Sequence, residues 1–325
     1  MSHANHANRT GRARAVVFAY HNVGVRCLSV LLAQGVDVAL VVTHQDSPAE
    51  NLWFGSVAEL AALHGIPVIT PEDPNSPLIV AQIAELKPDF IFSFYYRQML
   101  KASLLVIPPG GAWNMHGSLL PKYRGRVPVN WAVLHGERQA GATLHRMLEK
   151  PDAGGILAQQ SVPILPDDTA HEVFQKVTVA AEMALDAVLP QLVAGTAAEQ
   201  AQDLSRGSYF GGRRPEDGRI DWRLSAESIH NLVRAVAPPY PGAFCATALG
   251  ELRVLRSFRP ALAASQRLAG SSAGSVSPRL YEDNGRLLAV CGDGQVLCVL
   301  SAELAGLPLD ASSFSRRCGK ALDLI

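Results

Sequence analysis

Between residues 15 and 94, short apolar runs alternate with stretches of helical period, and no other feature restricts the fold as much. The runs 15–20, 36–43, 67–70 and 89–94 are rich in β-branched and aromatic residues. Between them lie 25–33, 54–64 and 78–86, where apolar side chains return every three or four positions. Gly35 and Gly65 follow the first two of these as stops. Strand–helix–strand repetition implies an α/β, Rossmann-like fold whose mostly parallel sheet is joined by right-handed crossovers. The first strand runs into His21-Asn22-Val23-Gly24, not G-x-G-x-x-G, so no dinucleotide site of the usual kind is expected.

Further along, 128–135 reads as a short helix, and 142–147 and 155–163 read as neighbouring strands. Thr169 with Glu172 forms a capping box. It opens a long helix marked by Phe174, Val177, Ala181, Ala184, Val188 and Leu192, with Pro190 expected to kink its end. The pattern loosens into a linker over 197–208. A helix at 225–236 and short strands at 242–247, 253–258, 273–277, 287–291 and 296–300 then read as a small barrel. The expected organisation is a flexible tail (1–12), a catalytic domain (13–204), a small β-domain (205–310) and a loosely docked tail (311–325), which suits a chain of 325 residues.

Composition narrows the class. Twenty-nine basic residues balance twenty-nine acidic ones, so no overall charge draws the chain to nucleic acid. No apolar run approaches ~20 residues, so membrane insertion is not expected. The five cysteines are scattered without metal-type spacing and read as reduced thiols of a cytoplasmic protein. Residues 2–14 are polar and basic without an apolar stretch, unlike a secretory signal. His21, His44, His64, His135, His171 and His230 show no metal-ligand spacing, so they read as surface or packing groups and no metal is expected.

The chemistry concentrates in GAWNMHGSLLPKYRGRVP, residues 111–128. Residues two apart at a strand end share a face. Trp113 and Met115 therefore turn to the apolar side, while Asn114 and His116 turn together past the sheet edge. An amide donor beside an imidazole suits acyl transfer through a tetrahedral intermediate, with both groups at the oxyanion. Asp152, in the turn-like KPDAGG, would fix the imidazole tautomer and raise its basicity. Taken singly, such an Asn or Asp is commonly a turn residue and such a His a packing group. The Gly-, Pro- and cation-rich run from Gly117 to Arg126 tips the balance toward an ordered loop at a strand's carboxyl end, where α/β sheets place their sites. Phe94, Tyr95, Tyr96 and Arg97, with Lys122, Tyr123 and Arg124, supply aromatic faces and cations near this loop, as a nucleobase and a diphosphate require. His145, beside Arg146, ranks second.

These residues carry a resemblance. N-x-H-x-S-L-L-P-x-Y-R-G followed by D-A-G is similar to the folate-dependent formyltransferases, a family that acts on methionyl-tRNA, glycinamide ribonucleotide and nucleotide-linked amino sugars. The stretches VVFAYHNVGVRCL, FGSVAELAALHGIPVITPED and FIFSFYYRQML resemble the branch that N-formylates UDP-4-amino-4-deoxy-L-arabinose for lipid A modification and polymyxin resistance. The likeness runs from about residue 15 to 300. It implies an OB-like carboxyl-terminal domain, 10-formyltetrahydrofolate as formyl-donor co-substrate, and a UDP-linked amino sugar as partner. It also implies catalytic roles for Asn114, His116 and Asp152. Folate contacts fall by the same resemblance on Gln98, Met99, Leu100 and Arg126, and on the backbone of Leu148, Glu149, Lys150, Pro151 and Asp152. Met99 and Leu100 suit the two faces of a flat pterin ring. The relatives that act on tRNA carry a basic insertion after the second strand. The corresponding residues 43–51, THQDSPAEN, hold two acids and no Lys or Arg, which argues against phosphate neutralisation there. Another nucleotide-linked amino sugar is the nearer alternative, and the sequence leaves homo-oligomerisation open.

Overall fold

The computed structural model describes residues 12–46, 52–261 and 277–324. The chain clusters into two compact units. The first comprises Met1–Gly125, Gly141–Val162 and Lys176–Phe210; the second comprises Arg126–Ala140, Pro163–Gln175 and Gly211–Ile325.

The first unit realises the alternation read from the sequence. In chain order it holds β1 (Arg14–Ala19), α1 (His21–Ala33), β2 (Asp37–Val42), α2 (Val57–Leu63), β3 (Val68–Ile69), α3 (Pro77–Glu85), β4 (Phe90–Phe94), α4 (Ala102–Leu105) and β5 (Ala112–His116). A short β6 (Arg124–Gly125) follows; α5 (Pro128–Leu134) falls in the second unit, and β7 (Gln139–Arg146), β8 (Ile156–Pro163) and α6 (Ala170–Val193) come next, α6 entering the first unit at Lys176. The sheet runs β3-β2-β1-β4-β5-β7-β8. Its first five strands are parallel, and β7 runs antiparallel to β5. One face carries a dry core of Val16, Phe18, Leu40, Ile83, Ile91 and Leu104. Helix α1 begins four residues earlier than its periodicity implied. Gly24 makes this workable, since a Cβ there would stand 3.0 Å from Val57 and 3.1 Å from Ala19. Gly35, at φ +77°, ends α1 in the left-handed region as expected of a C-terminal glycine.

The second unit is an antiparallel sheet with several helices, α5 among them. After β9 (Tyr209–Phe210) come α7 (Ala226–Ala235), β10 (Ala243–Thr247), β11 (Gly250–Phe258), β12 (Arg279–Asp283), β13 (Arg286–Val290), β14 (Val296–Leu304), β15 (Leu307–Leu309), α8 (Ala311–Cys318) and β16 (Ala321–Asp323). The strand order is β10-β11-β14-β13-β12-β16, with β15 on β14. Ser225 caps α7, its hydroxyl accepting from the Ser228 N–H. Trp222, Ile229, Val254, Leu280 and Phe314 build the core beneath it.

Two expectations need correction. Of the tail expected at 311–325, residues 311–324 are not loose: Asp310 caps α8, Phe314 is fully buried, and β16 pairs with β12. The 197–208 stretch is no linker either. Gln200 bridges to Ile156, a 3₁₀ turn spans Leu204–Arg206, and β9 pairs in parallel with β6. In both, backbone pairing and caps do what apolar periodicity does elsewhere. The strand expected at 273–277 and the tail 1–12 lie, but for Arg12 and Ser277, outside the described residues.

Candidate active site

Strand β5 ends at the carboxyl edge of the parallel strands. Its register sets Asn114 between Ser93 of β4 and His145 of β7, and His116 opposite Thr143. The loop after β5 is held from several sides. Thr143, fully buried, donates to the Ser118 carbonyl and accepts from the Leu120 N–H. Gln159 donates to Thr143 and to the Leu120 carbonyl. Ser208 receives the Tyr123 N–H at 2.8 Å, and Tyr123 stacks on Phe210. Tyr123 itself sits at φ +57°, a conformation a bulky residue adopts only where its surroundings over-determine it.

That strained residue aims its carbonyl at His116, whose Nε2 lies 2.8 Å away. A carbonyl oxygen can only accept, so Nε2 carries the ring proton and Nδ1 is left bare in the neutral imidazole. Nδ1 faces Asp152, 3.6 Å from its Oδ1. The same oxygen stands 3.5 Å from His145 Nε2, and Oδ2 accepts the Gly125 N–H at 2.8 Å. Asn114 Nδ2 lies 3.1 Å from His145 Nε2. Asp152 reaches inward because its turn is fastened: Gln202 donates to the Asp152 and Gly154 carbonyls, and a Cβ at Gly154 would come within 2.0 Å of the Arg146 carbonyl. Asp152 has φ +52°, which Asp tolerates.

Electrostatics separate the two partners. Burial pushes His116 below the ordinary imidazole value, against the opposing pull of the Asp152 charge and the Tyr123 carbonyl. Burial alone would raise Asp152. The neighbouring His116 and the Gly125 N–H oppose it, and the carboxyl is held down to about 2. Asp152 is therefore the ionised member near neutral pH. His116 is the neutral one.

The remaining sequence candidates divide. The turn Leu148–Asp152 lies beside the cluster, with Leu148, Glu149 and Lys150 exposed, and Pro151 partly so. Met99 is exposed, whereas Leu100 packs into the core, so its side chain is not one face of a sandwich. Gln98 donates to the Glu72 carbonyl, and Arg126 is an exposed residue of the second unit. Phe94 is fully buried and stacks on Phe92; it is core and offers no face to a ligand. Tyr95, at φ +59°, is half-buried, and Tyr96 stacks on His44. Burial raises the Tyr96 hydroxyl to about 12, and that hydroxyl has no hydrogen-bond partner among the described residues. Arg97 lies over the Tyr20 ring. Lys122 is exposed, and the buried Arg124 Nε likewise has no hydrogen-bond partner among the described residues. The cysteines are all free, and the described residues contain no cluster of metal-ligand type.

His145, which ranked second in the sequence, completes this site with Thr143, Gln159, Gln202 and Ser208, and those four were not read as part of it from sequence. Thr143 and His145 did carry a signal. They alternate as polar residues in the strand run 142–147, so they share a face.

Residues 22–189 match the family described as formyl transferase, and residues 213–319 match the formyl transferase carboxyl-terminal domain. Solved structures share the fold at low identity. An N-formyltransferase from Helicobacter canadensis, in complex with folinic acid and dTDP-3-aminofucose, is 20% identical with a TM-score of 0.69, covering 89% of this chain and 99% of its own. The sugar 3N-formyl transferase WlaRD, in the presence of dTDP and 5-N-formyl-THF, is 18% identical with a TM-score of 0.67, covering 91% and 98%. A sugar N-formyltransferase from a Shewanella species is 21% identical with a TM-score of 0.59, covering 75% and 96%.

Proposed function

The chain belongs to the formyltransferase family, and we propose that it moves the formyl group of 10-formyltetrahydrofolate onto the amine of a nucleotide-linked amino sugar, with UDP-4-amino-4-deoxy-L-arabinose as acceptor. The observation that carries this reading is the bare His116 Nδ1 held 3.6 Å from an ionised Asp152. An amine arrives protonated near neutral pH and becomes a nucleophile only after losing a proton to solvent. As its nitrogen bonds to the formyl carbon, the carbonyl electron pair moves onto oxygen and a second proton leaves the nitrogen. His116 Nδ1 takes that proton, and the Asp152 charge stabilises the resulting imidazolium. An Asn114 N–H and the new cation then face the oxyanion. Collapse restores the carbonyl and breaks the bond to the donor nitrogen, to which His116 returns its proton. The products are the sugar formamide and tetrahydrofolate.

Other groups have the chemistry to bind the two substrates. The exposed residues 148–150 and the Met99 thioether suit the edge and face of the pterin. The Arg124 Nε, without a hydrogen-bond partner among the described residues, suits a phosphate oxygen, and Tyr95, Tyr96 and Arg97 suit a nucleobase. Structural neighbours crystallised with dTDP or a dTDP-linked amino sugar support a nucleotide-sugar acceptor, and the acidic 43–51 stretch speaks against tRNA. The test is tetrahydrofolate release with the UDP-linked aminoarabinose, dTDP-linked amino sugars and methionyl-tRNA offered in parallel. Release with the UDP sugar supports the assignment. Release only with a dTDP sugar transfers it to that acceptor, and release only with tRNA, or with none of them, overturns it.

A further inference from the structure

We infer that His145 is a positioning residue that decides which end of the Asn114 amide faces the reacting carbonyl; the identity of that carbonyl rests on the formyl-transfer reading above. The ring is almost wholly buried, its side chain 2% exposed. Its Nδ1 lies 2.9 Å from the carbonyl of Arg146. Because that oxygen can only accept, Nδ1 holds the proton and Nε2 of the neutral ring is an acceptor. The neighbour at Nε2 is Asn114, and only the NH₂ end of an amide can donate to a bare nitrogen. His145 therefore takes one Asn114 hydrogen and leaves the other for an oxyanion.

The direction matters because an amide is nearly symmetric in shape. Turned over, Asn114 would present its oxygen to a developing negative charge and repel it. Sequence alone leaves the two orientations equivalent; the histidine tautomer distinguishes them. The tautomer in turn depends on where the Arg146 carbonyl points, and that peptide is anchored. Its N–H, which belongs to Met147, donates to the Ala112 carbonyl at 2.8 Å, and the Arg146 guanidinium pairs with Glu199 and lies 4.4 Å over the Trp113 ring. The competing arrangement is a charged His145 that donates from Nε2 to Asp152 Oδ1 at 3.5 Å and turns the amide over.

The test has two arms. In kinetics with the folate donor and the amino-sugar nucleotide, His145→Leu lowers kcat by about 10²–10³, the usual worth of one oxyanion donor, with KM nearly unchanged. His145→Gln recovers most of that loss, since its side-chain oxygen accepts where Nε2 did. In an Asn114→Ala background, His145→Leu costs under about threefold more, because it acts through a residue already absent. Additive losses overturn the proposal. The second arm needs no activity. Nitrogen NMR of histidine-labelled protein shows a proton on Nδ1 and a bare Nε2 for His145, the reverse for His116, and a shift of the His145 Nε2 signal in Asn114→Ala. A proton on His145 Nε2 in the wild type overturns the inference. A wild-type protein inert toward every amine offered removes the functional reading, while the NMR pattern still judges His145.

Discussion

His116 and Asp152 share the duty of holding one proton, and the sign of each shift predicts how activity responds to pH. A base whose pKa burial has lowered stays neutral further into acid, so the acid limb of kcat/KM attributable to His116 lies below about 6.5, the ordinary imidazole value. The Asp152 charge opposes that lowering. Asp152→Asn should therefore move the limb to still lower pH while reducing the rate by about 10²–10⁴, the usual range for general acid–base help, and a pH–rate series on the two proteins checks both. His116→Ala should lose a similar factor and melt close to wild type. At this scale the sequence was readable where side chains alternate along one strand, as Asn114 and His116 do. His145 was ranked second and its partner unseen, because a pairing between β5 and β7 decides which residue stands opposite Asn114.

Among the elements, the turn that carries Asp152 depends on a close approach no side chain can share. Gly154→Ala would set a methyl 2.0 Å from the Arg146 carbonyl. The turn must shift, carrying Asp152 away from His116, and activity should fall at least tenfold, as kinetics will show, a cost typical of a misplacement near 1 Å. The capping box of α6 behaves differently. Its Thr169–Glu172 pairing was legible from two residues and is formed in both directions, with Thr169 N–H to Glu172 at 2.7 Å and Glu172 N–H to Thr169 at 3.3 Å. Thr169→Ala should lower stability by about 1 kcal/mol in urea unfolding with the site unaffected. Helix α8 was missed for a physical reason. ASSFSRRC has a single large apolar residue, Phe314, so no period shows, yet that one ring is fully buried. Phe314→Ala should cost about 3–5 kcal/mol by the same measurement, and a near-zero loss would return 311–325 to the status of a tail.

On the scale of the whole molecule, stability should depend on pH through His230, a buried histidine with no part in the proposed chemistry. It faces Ser257, the Pro166 carbonyl, Asp167, Arg234 and Arg259. Burial lowers its pKa, and the Arg234 and Arg259 charges add to that against Pro166 and Asp167. The unfolded chain binds a proton there near 6.5 while the folded chain resists it, so this stabilisation is complete above that pH and fades as pH falls. Melting temperature should drop between about pH 7 and 5, and His230→Gln should flatten that slope. What the sequence determined by itself is whatever local rules encode: alternating strands and helices, their glycine stops and caps, and the strand-end pair Asn114 and His116. What only the tertiary structure decided is everything that depends on chain segments far apart meeting. That covers the burial of Phe94 and Leu100, the stapling of 197–208, and Asp152 lying between two imidazoles whose tautomers are set by the carbonyls of Tyr123 and Arg146. A hydrogen bond across strands has no periodicity to read, because its partners are chosen by sheet register and not by spacing along the chain.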